Sequence, residues 1–300
     1  MASTREMRLR IRSVKNLSQV TKALETVSAS RVRKAIQANN SSKPYAEKAW
    51  KVLVHLARQP GHDALHPLLA DRPVVRRALV ILVTSDRGLA GSYNANIFRH
   101  TLHEFSQKPY PVDFVAVGRK GRDLLLRRRK NVIAEFSDLP SPPLYREVAP
   151  IASLAIEDFE KQKYDEVYIC YTQFINMMRY EPVTRRLLPL KILYKDEAPD
   201  IHTLDATHRT HSVFSFEPDE GEVLSNIVPH FTGIQIFQAI LSAQASEHAA
   251  RMIAMRNATE SAQELIQSLQ LEYNKLRQTL ITNEMLDIAG GANALAQEKE

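Results

Sequence analysis

The eleven residues Thr84–Asn94, TSDRGLAGSYN, are the segment of this sequence most suggestive of chemistry. They follow an apolar run and carry Gly88 and Gly91, as a turn cradling a phosphate at a helix N-terminus would. The turn has no Gly-Lys-Ser/Thr, and the chain has no G-x-G-x-x-G, so a tight strand-to-helix turn is the preferred reading. Gly118-Arg119-Lys120-Gly121 also follows a strand pattern and reads as a solvated loop. The run Arg127-Arg128-Arg129-Lys130 has the charge to meet nucleic acid, but it sits at the end of an amphipathic stretch in a segment that is not basic overall. His62-Asp63-x-x-His66 and Asp205-x-x-His208-x-x-His211 offer metal-ligand residue types, without a cysteine or a second cluster to complete a site. Cys170 lies inside an apolar strand pattern and is expected to be buried and inert. No H-E-x-x-H, G-x-S-x-G or C-x-x-C occurs. The chain is therefore expected to carry no catalytic site, cofactor site or metal site of its own.

The elements that hold these residues follow from the helix breakers. All 15 prolines fall between Pro44 and Pro229, and residues 1–43 and 234–289 contain neither proline nor glycine. Those two residues are the strongest helix breakers, so the ends read as long helices and the centre as a turn-rich domain. In the centre, Ala78–Thr84 is a continuous apolar run, as in a strand covered on both faces. Helix signals at Asn94–Phe105, Gly121–Arg129 and Ala149–Lys161 alternate with strand signals at Val112–Val117, Asn131–Phe136 and Glu166–Phe174. Val183–Leu193 and Val213–Phe216 read as further strands. The β-α-β-α-β order predicts a parallel or mixed sheet with helices on both faces.

At the N-terminus, Ser3-Thr4-Arg5-Glu6 fits a capping box, and Leu17, Val20, Leu24 and Val27 form an apolar stripe. Met7, Ile11 and Val14 form a second stripe, offset from the first, and Asn39–Ser42 followed by Pro44 marks a kink or break before a second stretch, Tyr45–Ala57. At the other end, Met252, Met255, Thr259, Ala262, Ile266, Leu269, Tyr273, Leu276 and Leu280 alternate steps of three and four, the period of a left-handed coiled coil, up to a cap at Gly290-Gly291. A 56-residue helix is ~84 Å long, against ~30–40 Å for a domain of the central segment's length. The terminal helices are therefore expected to project as an antiparallel hairpin, with the C-terminal helix longer by about 13 residues. The fold expected is α/β: a long antiparallel coiled coil of the terminal helices plus a central Rossmann-like domain. Its divisions are 1–58, 74–212 and 213–300.

Composition fits that picture. The chain has 300 residues, is 44% hydrophobic and 25% charged, and has no run of the ~18 apolar residues needed for a spanning helix. Its net charge of +6 is uneven, with 13 Lys/Arg against 3 Asp/Glu in residues 1–60 and 5 against 8 in residues 241–300. The single cysteine suggests a reducing compartment. The Arg-rich start reads as helix rather than transit peptide, since Glu6 interrupts it and serines are sparse. The first 40 residues contain no aromatic side chain, which argues against a nucleic-acid surface.

Four segments carry a family resemblance: IRSVKN with QVTKALETVSASRVRK near the start, TSDRGLAGSYN, SEHAARMIAMRN with LEYNKLRQ, and ITNEMLDIAGGA. Together they resemble the γ subunit of F-type ATP synthases, the central rotor stalk. Ala90 stands where many members carry cysteine or another small residue, and Leu24 where others carry methionine. The chloroplast-type cysteine pair is absent, so thiol control is not expected.

The resemblance implies a non-catalytic rotor subunit that couples proton-driven c-ring rotation to conformational change in the catalytic β subunits. Gln278, Thr282 and Glu284 would meet the α3β3 head at the C-terminal tip, and Leu24 and Arg251 would lie on the shaft at the head's lower edge. Phe214, Phe216 and Glu217 would face the c-ring and an ε-type subunit. The partners implied are the α and β subunits, the ε-type subunit and the c-ring, with membrane association only through the ring, at the cytoplasmic face of a bacterial inner membrane. From the residues alone, a coiled-coil adaptor with an α/β domain remains the alternative.

Overall fold

Apolar residues with no polar interruption make a strand only where both its faces are covered, and Ala78–Val83 is such a strand. A computed structural model describes residues 4–57, 66–190 and 220–297. The described elements are α1 (Thr4–Ala57), β1 (Ala78–Val83), α2 (Tyr93–Ser106), β2 (Val112–Val117), α3 (Arg119–Arg127) and β3 (Val132–Phe136). They continue with α4 (Tyr145–Glu160), β4 (Glu166–Phe174), β5 (Tyr180–Leu188) and α5 (Glu220–Gln297). Two compact units result. One joins Met1–Val27 to Met252–Glu300, and the other spans Ser28–Arg251, so each terminal helix contributes residues to both.

The larger unit is built on one five-stranded sheet in the order β3-β2-β1-β4-β5. β1 pairs in parallel with both β2 and β4, β2 pairs in parallel with β3, and β5 closes the edge antiparallel to β4. Alternation along β1 sorts its side chains between two cores. Leu79, Ile81 and Val83 join the cluster that holds Val148, Ile151 and Phe159 of α4, Leu53 of α1, and Phe231 and Ile240 of α5. Val80 and Leu82 join the opposite cluster with Ile97, Phe98 and Phe105 of α2, Leu125 of α3, and Cys170. The expected mixed sheet with helices on both faces is present.

Several boundaries differ from expectation. Asn39–Ser42 and Pro44 do not break α1, which is continuous from Thr4 to Ala57. Ser41 Oγ donates to the Gln37 carbonyl (2.9 Å) and Ser42 Oγ to the Asn39 carbonyl (2.8 Å), so hydroxyls able to compete with a helix bond back onto it instead. α5 begins at Glu220 and includes Pro229 and Gly233. Burial of Val228 and Phe231 in the core holds this stretch despite its breakers. A glycine fits there without rearrangement, because a Cβ would come within 2.4 Å of the Tyr145 hydroxyl and that side chain would have to shift. Gly290-Gly291 is not a cap, since α5 continues to Gln297. Two glycines cost a helix about 1 kcal/mol each, which good helix formers on either side can offset. β5 starts at Tyr180 rather than Val183, and α4 starts at Tyr145 with Pro150 inside it. The Val213–Phe216 strand and Ser3 of the capping box lie outside the described residues.

In the smaller unit α1 and α5 run antiparallel. Arg8 Nη2 donates to the Tyr273 hydroxyl at 2.6 Å, and Thr259 Oγ1 donates to Thr21 Oγ1 at 2.7 Å, so one helix ascends as the other descends. The α5 stripe from Met252 to Leu276 is the buried or half-buried seam, as its period requires. The α1 seam is the offset stripe, Met7, Ile11 and Val14, continued by Ser18 and Thr21. Leu17, Val20 and Val27 instead point outward, each about half exposed. Past Val14 the α1 side of the seam passes to the hydroxyl-bearing Ser18 and Thr21.

Candidate functional site

The turn after β1 is spoken for by its own chain. Gly118 has φ +99°, and a Cβ there would meet the Thr84 carbonyl at 2.4 Å. This close approach lets the end of β1 fill the N-terminus of α3. The Arg119 N–H donates to Asp86 Oδ1 (3.1 Å), the Lys120 N–H to the Ser85 carbonyl (3.1 Å) and the Gly121 N–H to Thr84 Oγ1 (2.8 Å). Asp86 Oδ2 accepts in turn from the Asp138 N–H at 3.0 Å. The first N–H groups of α3 are thus satisfied by Asp86, Ser85 and Thr84, and Gly118 and Gly121 serve the close packing of Thr84 against α3.

The crevice at the carboxyl ends of β1 and β4, where the strand order reverses, is the usual ligand site of a doubly wound sheet. Here α5 covers it. The Tyr93 hydroxyl donates to the Ala243 carbonyl (3.1 Å), Ser246 Oγ to the Thr172 carbonyl (3.1 Å), and the Phe174 N–H to Ser242 Oγ (2.8 Å). Arg251 Nε and Nη2 donate to the carbonyls of Gly88 and Arg87, each at 3.3 Å. Arg251 is thus turned inward, only 9% exposed, and fixes the base of the turn that carries exposed Leu89.

Beside it stand two buried titratable groups. Glu247 lies 2.8 Å from Arg251. Burial pushes its carboxyl upward, with Asp86 adding to the effect, while Arg251 and Arg31 pull the other way. His248 is held down to about 4 by burial and by the charges of Arg251 and Arg31. Its Nδ1 faces Arg251 Nη1 (3.4 Å) and its Nε2 faces Ser141 Oγ (2.7 Å), which suits a neutral ring accepting at Nδ1 and donating at Nε2. The sequence reading passed over Glu247 and His248. The signal was present in SEHAAR, three ionisable residues in an otherwise small-residue stretch of helix.

The remaining candidates separate clearly. Cys170 is fully buried, its thiol pushed up to about 12 by desolvation, as expected of an inert core residue. His66 is buried and its Nδ1 accepts from the Leu68 N–H at 3.2 Å, while His62, Asp63, Asp205, His208 and His211 lie outside the described residues. No group of three metal-ligating side chains occurs among the described residues. Among them, too, no helix is long and apolar enough to cross a membrane. Phe214, Phe216 and Glu217 also lie outside the described residues.

Leu24 is half-buried on α1, and Gln278, Thr282 and Glu284 are exposed near the end of α5. Thr282 Oγ1 donates to the Gln278 carbonyl at 3.0 Å, so these two share a face. The register set by Arg8 with Tyr273 and Thr21 with Thr259 brings Thr4 opposite Leu276. About 20 residues of α5, roughly 30 Å, run on beyond that level, more than the 13 expected. Ile281, Met285, Leu286 and Ile288 lie on this stretch, between 48% and 73% exposed. Contiguous exposed aliphatic residues of this kind are the type of surface that partner chains cover.

The whole chain has clear relatives. The family model described as ATP synthase matches residues 3–295. The ATP synthase gamma chain of Roseiflexus castenholzii is 43% identical over 300 residues, covering 99% of this chain and all of that protein. The gamma chain of Chloroflexus aurantiacus is 42% identical over 299 residues, covering 98% and 99%. Among solved structures, a chain from the Euglena gracilis mitochondrial ATP synthase (OSCP/F1/c-ring, rotational state 3) aligns over 99% of this chain and 96% of its own length. Its TM-score is 0.68 at 19% identity, a likeness of fold. By its full-length kinship with these gamma chains, this chain belongs to the ATP synthase gamma family.

Proposed function

We propose that this chain is the central rotor stalk of an F-type ATP synthase, turned by a c-ring and turning within a head of α and β subunits. The observation that carries this reading is the aliphatic end of α5, which among the described residues is left exposed. Gln278, Thr282 and Glu284 meet the head there, with Ile281, Met285, Leu286 and Ile288 supplying apolar contact. Leu24 meets the head further along the shaft, and Arg251 acts from inside by holding the Arg87–Gly88 turn against it. Phe214, Phe216 and Glu217 face the c-ring and an ε-type subunit.

The mechanism follows from asymmetry. A two-helix shaft offers a different face to each of three β subunits, so each β conformation gains a different contact free energy. A turn of the shaft reassigns those contacts. Because a ligand shifts an equilibrium only by its differential affinity for the two states, this reassignment drives nucleotide binding and release in sequence. The chain contributes no catalytic group. Its place is the cytoplasmic face of a bacterial membrane, held there by the ring.

The test is reconstitution with α and β subunits. The expected result is co-elution in one complex, whose ATP hydrolysis turns a bead fixed to this chain. A chain that co-elutes but stays still while ATP is hydrolysed, or one that never joins the complex, would overturn the assignment.

A further inference from the structure

In the larger unit, strands β1 to β4 run parallel, so the loops that enter them lie on one edge of the sheet. Backbone bonds hold those loops side by side. The Ala78 N–H donates to the Pro111 carbonyl (3.2 Å), the Phe114 N–H to the Asn131 carbonyl (2.9 Å) and the Asp165 N–H to the Arg77 carbonyl (2.9 Å). Residues 72–77, 107–111 and 127–131, which lead into β1, β2 and β3, hold eight Lys/Arg and no Asp/Glu. Two of the eight are neutralised from neighbouring strands, Arg77 by Asp113 at 2.9 Å and Arg72 by Asp165 at 2.8 Å. The other six, Arg76, Lys108 and Arg127–Lys130, have no ion pair among the described residues, and all but the half-buried Lys108 are exposed. Val74 and Leu126 stand beside them, 64% and 55% exposed.

Like charges on neighbouring loops repel, and an anionic surface facing them offsets that cost. Adjacent strands are ~4.8 Å apart, so three strand entries spread the charge over about 10 Å of edge, which suits an extended plane rather than one small ion. Cations with exposed aliphatic side chains among them are the composition that meets phospholipid headgroups, whereas single-stranded nucleic acid calls for aromatic faces. Tyr110, the one aromatic residue of the three loops, is half-buried with its hydroxyl donating to Glu166 at 2.8 Å. We propose that this edge of the larger unit docks on the anionic phospholipid headgroups of a membrane, its cations over the phosphates and Val74 and Leu126 in the interface. The proposal goes beyond the rotor reading, in which a ring alone holds the chain at a membrane, and does not depend on it.

The full chain is sedimented with vesicles of phosphatidylcholine containing about 30% phosphatidylglycerol, and with vesicles of phosphatidylcholine alone. Binding is expected to the anionic vesicles only, and it should fall steeply as salt rises from about 50 to 300 mM. Each basic residue near such a surface contributes about fivefold, so Arg127→Gln, Arg128→Gln, Arg129→Gln and Lys130→Gln combined should weaken binding roughly thirtyfold or more. The start of α1 is also basic, and a charge-matched control therefore combines Arg5→Gln, Arg10→Gln, Arg12→Gln and Lys15→Gln, all at exposed positions. That control is expected to lose far less. Circular dichroism melts identify variants whose folding matches the parent, and if the loop variant misfolds, Arg127→Glu with Arg128→Glu decides the question. A loss in the α1 control as large as in the loop variant overturns the proposal. So does equal binding to both kinds of vesicle, or no binding to the anionic ones. Tighter binding to duplex DNA than to the anionic vesicles at equal phosphate concentration reassigns the edge to nucleic acid and overturns it too.

Discussion

Truncation after Leu280 separates what the tip does for the chain from what it does for the complex. Residues 281–289 of the removed stretch are all exposed, so they take almost no buried apolar area with them. Thr282 bonds only back to the Gln278 carbonyl within the same helix, and no hydrogen bond of this stretch to α1 occurs among the described residues. An unsupported helix contributes close to zero net free energy, so the expected change in stability is under about 0.5 kcal/mol. For a chain of this size, that moves a melting temperature by no more than about 2 °C. The ellipticity of the free chain is a second measure. If the tip is fully helical, truncation removes about a tenth of the helical residues and of the 222 nm signal; if it frays without a partner, the loss is smaller. In the reconstituted complex, ATP synthesis should fall severalfold while assembly stays close to normal. The reasoning is refuted by a melting temperature several degrees lower in the free chain, or by synthesis and assembly falling together.

Ile266→Asp places a charge on the half-buried α5 seam and should cost about 2 kcal/mol in the smaller unit, read as an earlier helical CD transition. The Trp50 transition, which reports the larger unit, should hardly move. Gly233→Ala should destabilise by about 1–2 kcal/mol in urea, because its Cβ meets the Tyr145 hydroxyl, and adding Tyr145→Phe should recover part of that loss. His248 is lower in the folded chain, at about 4, than its ordinary 6.5, so the folded state binds fewer protons than the unfolded one between those values. Stability from this group is full above pH 6.5 and is lost as pH falls toward 4. His248→Gln should flatten that slope, and an unchanged pH profile of the urea midpoint would refute the assignment.

The sequence revealed the sheet well and the helix ends poorly, for one physical reason. Strand β1 is apolar at every position, β2 is nearly so, and β4 is apolar from Val167 to Tyr171, and a doubly covered strand can hardly be read otherwise. Helix ends depend on tertiary partners. Pro44, Gly233 and Gly290 are local stop signals, yet α1 and α5 run through them, at Gly233 because Val228 and Phe231 are packed in the core. Of the two offset stripes on α1, hydrophobicity alone does not single out the seam. Leu17 and Val20 are the more apolar residues, but Thr21 is the one that meets Thr259. No single-sequence pattern distinguishes an exposed aliphatic stripe of this kind from core. At the turn, the absence of a phosphate motif was legible. The filling of α3's N-terminus by Asp86, Ser85 and Thr84 was not, since those contacts join residues some 35 positions apart.

The overhang of α5 past Thr4 also changes how the smaller unit winds under load. Take each helix as a uniform rod of the usual diameter. A bonded pair then resists twisting roughly two- to sixfold more than a single rod, depending on how freely the two slide past each other. The Thr21–Thr259 and Arg8–Tyr273 bonds oppose sliding. Over equal lengths under equal torque, angular strain therefore gathers in the single-stranded stretch beyond Leu276 rather than in the paired stretch below it. The last ~30 Å of α5 then behave as a torsion spring in series with a stiffer rod.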